Sequence, residues 1–410
     1  MKQLKLKKKL FFKIIIIIIF FIAIRFIFLT ENPQYLPDLN TMTITQIKEY
    51  AQKNKLNLNI EYEYSNKIAE NKIINQNIKN GTILKKDDNL NLVVSKGAIS
   101  IEYYAENKIN ELGRIPVMMY HHIMDVENEY TGGNIDKEGY NRTSNAFKKD
   151  LEYYYEQGYE MISLIDYING NINTSFGKSP IVLTFDDGNS NNIKVTGLDE
   201  KGNIIIDPKS AVGILEAFKK KYPKTKVTAT FFLNKGLFNQ KDYNDKILNW
   251  LIDNGYDIGN HTLNHVDFAK ITSNKVQEEV GGLYQLLDQY IKDKYVKIVA
   301  LPYGSPYKQN HSNFKYILNG TYKDIVYETL STLRVGWEAD YSPFNKEFDS
   351  TFIKRIRAYD NNGQEFDIEM ALNNIKNTRY ISDGDNKTIV IPSSLNSQIN
   401  NKNNLDMIEY

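Results

Sequence analysis

Short apolar runs alternate with stretches of helical periodicity from about residue 114 to about residue 400, and this alternation restricts the fold more tightly than any other feature of the chain. The runs are Pro116 to Tyr120, Ile181 to Thr184, Val227 to Phe232, Tyr256 to Gly259, Val296 to Ala300 and Lys387 to Ile391. Their length and apolar character predict buried strands of an α/β fold. Between them, Phe147, Leu151 and Tyr154 share one helical face, with Ser144 as the expected N-cap and Gly158 as the stop. Asp207 and Pro208 are expected to open a second helix burying Val212, Leu215 and Phe218, and a third runs from Ser273 through Val276, Val280, Leu283, Leu287 and Ile291. Strands alternating with helices over such a length predict a barrel-like β/α domain, in which catalytic groups gather at the C-terminal strand ends.

With 410 residues the chain is long enough for two folded units and an appendage. Its formal net charge of +1 offers no basic surface for counterion release, which argues against nucleic acid as a partner. It has no cysteine, leaving carboxylate, imidazole and hydroxyl chemistry. Lys2, Lys5, Lys7, Lys8 and Lys9 precede a stretch from Leu10 to Leu29 that is apolar except for Lys13 and Arg25. That stretch would rise about 30 Å as a helix, enough to cross a bilayer, with the basic cluster held on the cytoplasmic side. The shorter core Ile14 to Ile24 also suits a signal peptide, although no small-x-small cleavage site follows it. Either reading exports the remainder, and an uncleaved transmembrane helix makes the membrane itself a partner.

From about residue 35 to residue 98, Thr43 is placed to cap a helix carrying Ile44, Ile47 and Ala51. The alternation Leu56, Leu58, Ile60, Tyr62 and Tyr64 then predicts a half-buried strand; Asn80-Gly81 marks a turn, and Leu90 to Val94 a closing strand. This small α+β unit, with the run "LPDLNTMTITQIKEYAQKNKL" and the later "NKIINQNIKNGTILKKDDNLNLVVSKG", resembles a PASTA domain. The resemblance implies an extracellular module associated with peptidoglycan; a spacer lifting the next domain off the membrane is the alternative. The expected division is therefore 1–34 basic tail and anchor, 35–98 PASTA-like domain, 99–113 linker, 114–395 large domain and 396–410 loose tail.

Three polar motifs follow apolar strands of the large domain. "TFDDG", Thr184 to Gly188, sets two adjacent carboxylates at a strand end. Adjacent side chains of an extended chain point apart, so one can bind a metal while the other acts as a base. An isolated Asp-Asp-Gly is commonly a solvated turn. "NHTLNH" places His261 and His265 at i and i+4, a spacing that sets two imidazoles on one face of a helical turn and suits a divalent metal. "ALPYG", Ala300 to Gly304, is by itself an ordinary turn.

In this order, each at a strand end, the motifs resemble the polysaccharide deacetylases, the NodB-homology family or carbohydrate esterase family four. "IPVMMYHHI", "ATFFLNKG" and "GYDIGNH" extend the resemblance over roughly residues 114 to 395. It implies an irregular (β/α) barrel of the NodB-like kind that removes N-acetyl groups from a polysaccharide, peptidoglycan being favoured by the PASTA-like module. It maps Asp187, His261 and His265 onto a metal triad, Asp186 onto the catalytic base, and Tyr303 onto the residue whose backbone N–H helps hold the oxyanion. Zinc is the default ion from the ligand types, with Co, Mn, Ni or Fe also compatible.

The chain departs from the family at two positions. The family's proton-donating histidine in a late Leu-x-His motif has no counterpart, since no histidine follows His311 and "KTIVIPSS" stands at the comparable strand end. His121 and His122, after the first strand, are the substitutes in reach. Ala300 stands where many members carry an arginine that orients the base, and Arg355 is the expected replacement, with an ordinary surface ion pair as the other reading. Trp337 could wall the pocket or sit in the core. The Asn189 to Asn203 segment reads as a loop shaping access, and Asp383 to Asp385 as a turn. The missing late histidine leaves two alternatives open, a polysaccharide-binding protein without turnover and an O-acetyl esterase acting on xylan-like glycans.

Overall fold

The computed structural model describes residues 33–65, 67–126, 140–359 and 367–410. The expected span Leu10 to Leu29 lies outside the described residues, and none of the described helices is long and apolar enough to cross a membrane. The chain divides into two units, Met1–Ser100 and Ile101–Tyr410.

In the first unit, the Thr43 hydroxyl accepts from the Gln46 N–H at 3.2 Å while the Gln46 amide oxygen accepts from the Thr43 N–H at 2.8 Å. This capping box starts the helix Ile44–Lys53. Ile47 and Ala51 are buried with Leu90, Leu92 and Val94 of a three-stranded sheet ordered Asn57–Glu63, Asn89–Ser95, Ile73–Gln76. The alternation expected through Tyr64 fades, and Tyr62 and Tyr64 are exposed.

The second unit is built on a curled, wholly parallel sheet. Its strands are β1 (Val117–Tyr120), β2 (Ser179–Phe185), β3 (Thr230–Leu233), β4 (Asp257–Asn260), β5 (Ile298–Ala300), β6 (Ser331–Leu333), β7 (Phe352–Ile353) and β8 (Ile356–Arg357). The order is β7-β6-β5-β4-β3-β2-β1-β8, with Tyr159–Met161 pairing alongside β2. Because β7 pairs with β6 and β8 with β1, the single stretch 352–357 spans the two ends of the sheet. Arg355 lies inside that bridge. All seven residues of β2 are buried, as expected of a central parallel strand covered on both faces. Helices α1 (Ser144–Glu156), α2 (Ala211–Lys221), α3 (Asn244–Asp253) and α4 (Ser273–Ile291) contribute Phe147, Leu215, Leu248 and Leu283 to its larger core.

Several local expectations are corrected. Thr143, not Ser144, caps α1, and Ser210 caps α2, because a capping side chain must sit on the last non-helical residue and reach the N–H three positions on. Asp207 and Pro208 form the turn before that cap. The run Thr388–Ile391 is fully buried but lies outside the main sheet; it pairs with Asp406–Glu409. The tail expected to be loose thus ends in a strand, since Thr388–Ile391 needs a partner for its own backbone groups. The expected linker 99–113 also contributes to this unit: Ile101–Glu106 is a helix, and Ile109 and Leu112 are buried.

Candidate active site

β2 ends at Phe185, and the next N–H, that of Asp186, donates to the Tyr120 carbonyl at 2.9 Å. The backbone then turns left-handed at Asp187 (φ 73°) and Gly188 (φ 62°), so the two carboxylates are set by a turn after the strand and not by the alternation of an extended chain. A Cβ at Gly188 would sit 2.9 Å from Leu233 Cδ2, so glycine is needed for both conformation and space. Asp186 is buried, 1% exposed, whereas Asp187 is half-buried.

Asp187 Oδ1 lies 3.2 Å from His261 Nε2 and 3.3 Å from His265 Nε2. The ligand atoms of the three residues all fall within 4.8 Å of one another, so the sequence-predicted triad converges. His261 is buried, and its Nδ1 is 2.9 Å from the Ala300 carbonyl, which can only accept. The proton therefore sits on Nδ1 in the neutral ring and leaves the Nε2 lone pair facing Asp187. Burial raises the Asp187 carboxyl, but the hydrogen bond and charge of His261 outweigh it and hold it well below the usual range. Burial also lowers His261, yet Asp186 and Asp187 bring it above its ordinary value; His265 is held below its own by burial and the His261 charge.

The histidines do not converge by the expected route. No helical turn carries them; residues 261–265 form a loop with left-handed backbone at Thr262 (φ 67°) and His265 (φ 53°). Buried Asn260 accounts for this: its Oδ1 accepts from the Thr262 N–H at 2.8 Å, and its Nδ2 donates to the Val280 carbonyl at 3.0 Å. A side chain competing for the first free N–H turns the chain away from helix.

Arg355 is fully buried and grips Asp186 with two bonds, Nη1 to Oδ1 at 2.8 Å and Nη2 to Oδ2 at 2.7 Å. Its Nη1 also reaches Thr184 Oγ1 at 3.2 Å, and its Nε donates to the Arg334 carbonyl at 2.9 Å. The surface ion-pair reading is therefore wrong for Arg355. Burial raises the Asp186 carboxyl, and the Arg355 charge, with His261, takes it below its ordinary value.

The two early histidines separate. His121 Nε2 approaches Asp186 Oδ2 at 3.9 Å, while His122 Nδ1 lies 3.3 Å from Asn191 Nδ2. Neighbours at a strand end face opposite sides, so only one of the pair can face the carboxylates, and it is His121 rather than His122. Burial pushes the His121 ring down to about 4 against the pull of Asp186 and Asp187, so a neutral ring faces the carboxylate. Its Nδ1 is buried with no hydrogen-bond partner among the described residues.

Tyr303 has left-handed backbone (φ 59°) in the turn Pro302–Gly304, and its exposed ring meets that of His265 edge-on at 4.8 Å between centroids. Ser305 Oγ donates to Asp267 Oδ1 at 2.5 Å, tying this turn to the segment after His265. Trp337 is 59% exposed, which removes the core reading. Asp383 to Asp385 is a turn, with the Asp385 N–H donating to Asp383 Oδ1 at 2.8 Å.

Buried polar groups missed in the sequence hold the frame. Asn192, fully buried, donates from Nδ2 to the His121 carbonyl at 2.6 Å and accepts the Asn189 N–H at 3.0 Å. Residues 189–192 thus tie β2 to β1, and the segment expected as a loop continues into an antiparallel hairpin, Val195–Leu198 with Ile204–Ile206, whose Val195, Ile204 and Ile206 pack against the core. Amides inside an Asn-rich segment gave no sign of which would be buried.

Residues 173–317 match the polysaccharide deacetylase family model, and residues 34–96 match that of the PASTA domain. No curated protein matches the chain. Among solved structures, the Streptococcus pyogenes deacetylase PplD in complex with acetate is 17% identical, with a TM-score of 0.45 over 63% of this chain and 98% of that one. A polysaccharide deacetylase from Bacillus cereus is 18% identical, with a TM-score of 0.42 over 60% of this chain and 64% of that one. A de-N-acetylase from Aggregatibacter actinomycetemcomitans is 16% identical, with a TM-score of 0.40 over 60% of this chain and 94% of that one.

Proposed function

Since the chain carries a polysaccharide deacetylase domain behind a PASTA domain, we propose that it is a metal-dependent hydrolase removing N-acetyl groups from an extracellular or cell-wall glycan, peptidoglycan first among them. The observation that carries this reading is the convergence of Asp187, His261 and His265 beside a buried, arginine-held Asp186.

The donor set suits a divalent ion: two neutral imidazole nitrogens and one carboxylate oxygen, with the His261 tautomer fixed by Ala300. Asp187 Oδ1 lies 3.2 and 3.3 Å from the two imidazole Nε2 atoms, and all three ligand atoms fall within 4.8 Å, so Asp187, His261 and His265 are the residues that would hold such an ion. Zinc is the ion we assign. When bound, such an ion supplies a Lewis acid for the acetyl carbonyl and makes water more acidic.

The chain's own groups do the rest. Asp186, kept ionised by Arg355, takes a proton from the attacking water. The N–H of Tyr303 donates to the oxygen of the tetrahedral intermediate. His121, not His122, is the group within reach of Asp186 that can pass a proton to the departing amine. Its low proton affinity means that it holds the proton only in transit. We further propose that the lysine-flanked stretch Leu10 to Leu29 anchors the chain in the membrane, with the catalytic unit outside.

The reading is tested by acetate release from N-acetylglucosamine oligomers, peptidoglycan and acetylated xylan with the purified, zinc-loaded protein. Release from the first two supports it; release confined to xylan would assign an ester hydrolase, and release from none a binding protein. His121→Ala is expected to slow amide hydrolysis about 10²-fold or more, and ester hydrolysis less, because an alkoxide leaves with less help than an amine. His122→Ala should stay within a few-fold of the parent. The reverse ranking of these two variants would return the proton transfer to His122.

A further inference from the structure

Helix α4 buries an apolar face through Val276, Val280, Leu283 and Leu287, and a glutamate interrupts it. Glu279 is fully buried, a place where an unpaired carboxylate is hardly ever found. Its oxygens are taken up by one residue of the histidine loop: Oε2 accepts the Asn264 N–H at 2.7 Å, and Oε1 accepts Asn264 Nδ2 at 2.8 Å. Its backbone carbonyl accepts the Leu263 N–H at 2.9 Å. Lys275 Nζ, 3.3 Å from Oε1, supplies the neutralising charge. From the other side, Lys235 Nζ donates to Asn264 Oδ1 at 2.7 Å.

The N–H groups from His261 to Asn264 are thereby all accounted for. That of His261 goes to the Leu233 carbonyl, that of Thr262 to Asn260 Oδ1, and the next two to Glu279. His265 follows directly, in a left-handed conformation that a side chain with a Cβ adopts reluctantly. It is half-buried, and its ring touches the site through Asp187, His261 and the exposed Tyr303. The fixed points directly on its N-terminal side are the two bonds that Asn264 donates to Glu279.

We propose that Glu279 is a positioning residue for the metal site: it clamps Asn264 so that His265 is delivered to Asp187 and His261, and so sets how tightly the site holds a divalent cation. It touches neither ion nor substrate. This rests on the metal-site reading above, and asks what makes that site tight.

The test is a cobalt(II) titration of the metal-stripped full chain, read by the visible absorption of the bound ion and by competition with a chelator, beside thermal melting without metal. Removing a partner that orients a metal ligand typically weakens metal affinity about 10–100-fold, and Glu279→Ala is expected to fall in that range with an altered cobalt spectrum. Glu279→Gln keeps an acceptor for the Asn264 N–H and can donate to a turned Asn264 amide, so it should restore affinity to within a few-fold of the parent. Asn264→Ala, which spares the buried carboxylate, should lie between the two and covers the case in which Glu279→Ala does not fold. A lowered melting temperature with unchanged cobalt affinity and spectrum in Glu279→Ala or Asn264→Ala would overturn the proposal, leaving Glu279 a structural group only. Failure of the parent chain to bind cobalt would instead sink the metal-site reading.

Discussion

Asp186→Asn is expected to lower acetate release by about 10²–10⁴-fold while leaving the bound ion in place. The side chain sits at the end of β2 with its backbone N–H tied to Tyr120 and both oxygens on Arg355, so asparagine keeps the outline, gives up one of the two Arg355 bonds and loses the proton acceptor. Asp187, His261 and His265 do not depend on it for their mutual contacts. The two effects are read separately, as initial rates on N-acetylglucosamine oligomers and as ion content. Rates within threefold of the parent would remove Asp186 from the base role; loss of the ion together with the rate would make it a ligand instead.

Arg355→Met should be the most destabilising single change near the site. It strands a carboxylate that is 1% exposed, and breaking a buried pair from one side costs about 3–5 kcal/mol. The denaturant midpoint at neutral pH reads this directly. Its pH dependence has a defined sign. In the parent, the folded-state Asp186 lies below its ordinary value, so the pair contributes stability above the unfolded carboxyl range, near 3.9, and loses it as pH falls through the folded value. Without Arg355, burial is left to raise the Asp186 carboxyl, so the variant's deficit is largest at neutral pH and narrows in acid. The double variant Asp186→Asn with Arg355→Met should recover part of the loss, since no buried charge is left alone. A deficit below about 1 kcal/mol for Arg355→Met, the value of an exposed pair, would show that solvent reaches the contact.

What the sequence disclosed here follows from what each residue type can signal. Strands β1 to β5 were legible because buried parallel strands show as short apolar runs, and β2 is buried at all seven of its positions. Strands β6, β7 and β8, two or three residues each, are too short to show as runs and were not read from the sequence. Asp187, His261 and His265 were legible because their residue types bind metals and their motifs recur in a known order. Their route together was not. The i and i+4 spacing pointed to a helical turn, and the side chain that diverts the backbone, Asn260, is polar and looked like part of the motif rather than its cause. Arg355 was reachable by elimination, from Ala300 standing where an arginine was expected, but its place in the stretch joining β6 to β1 is a property of sheet closure. The choice between His121 and His122 depended on which way one strand end faces, which two identical side chains cannot announce. The final strand was missed because Asp406–Glu409 is mostly exposed and carries no apolar run; it forms by offering backbone groups to a buried neighbour.

Elemental analysis of the protein after zinc loading and exhaustive dialysis goes most directly to the heart of this account. One zinc per chain is expected for the parent and for Asp186→Asn, and close to none for Asp187→Ala, His261→Ala and His265→Ala, each folded as judged by its melting transition. Full zinc content in all three of the latter, or none in the parent, would mean that these side chains do not share an ion.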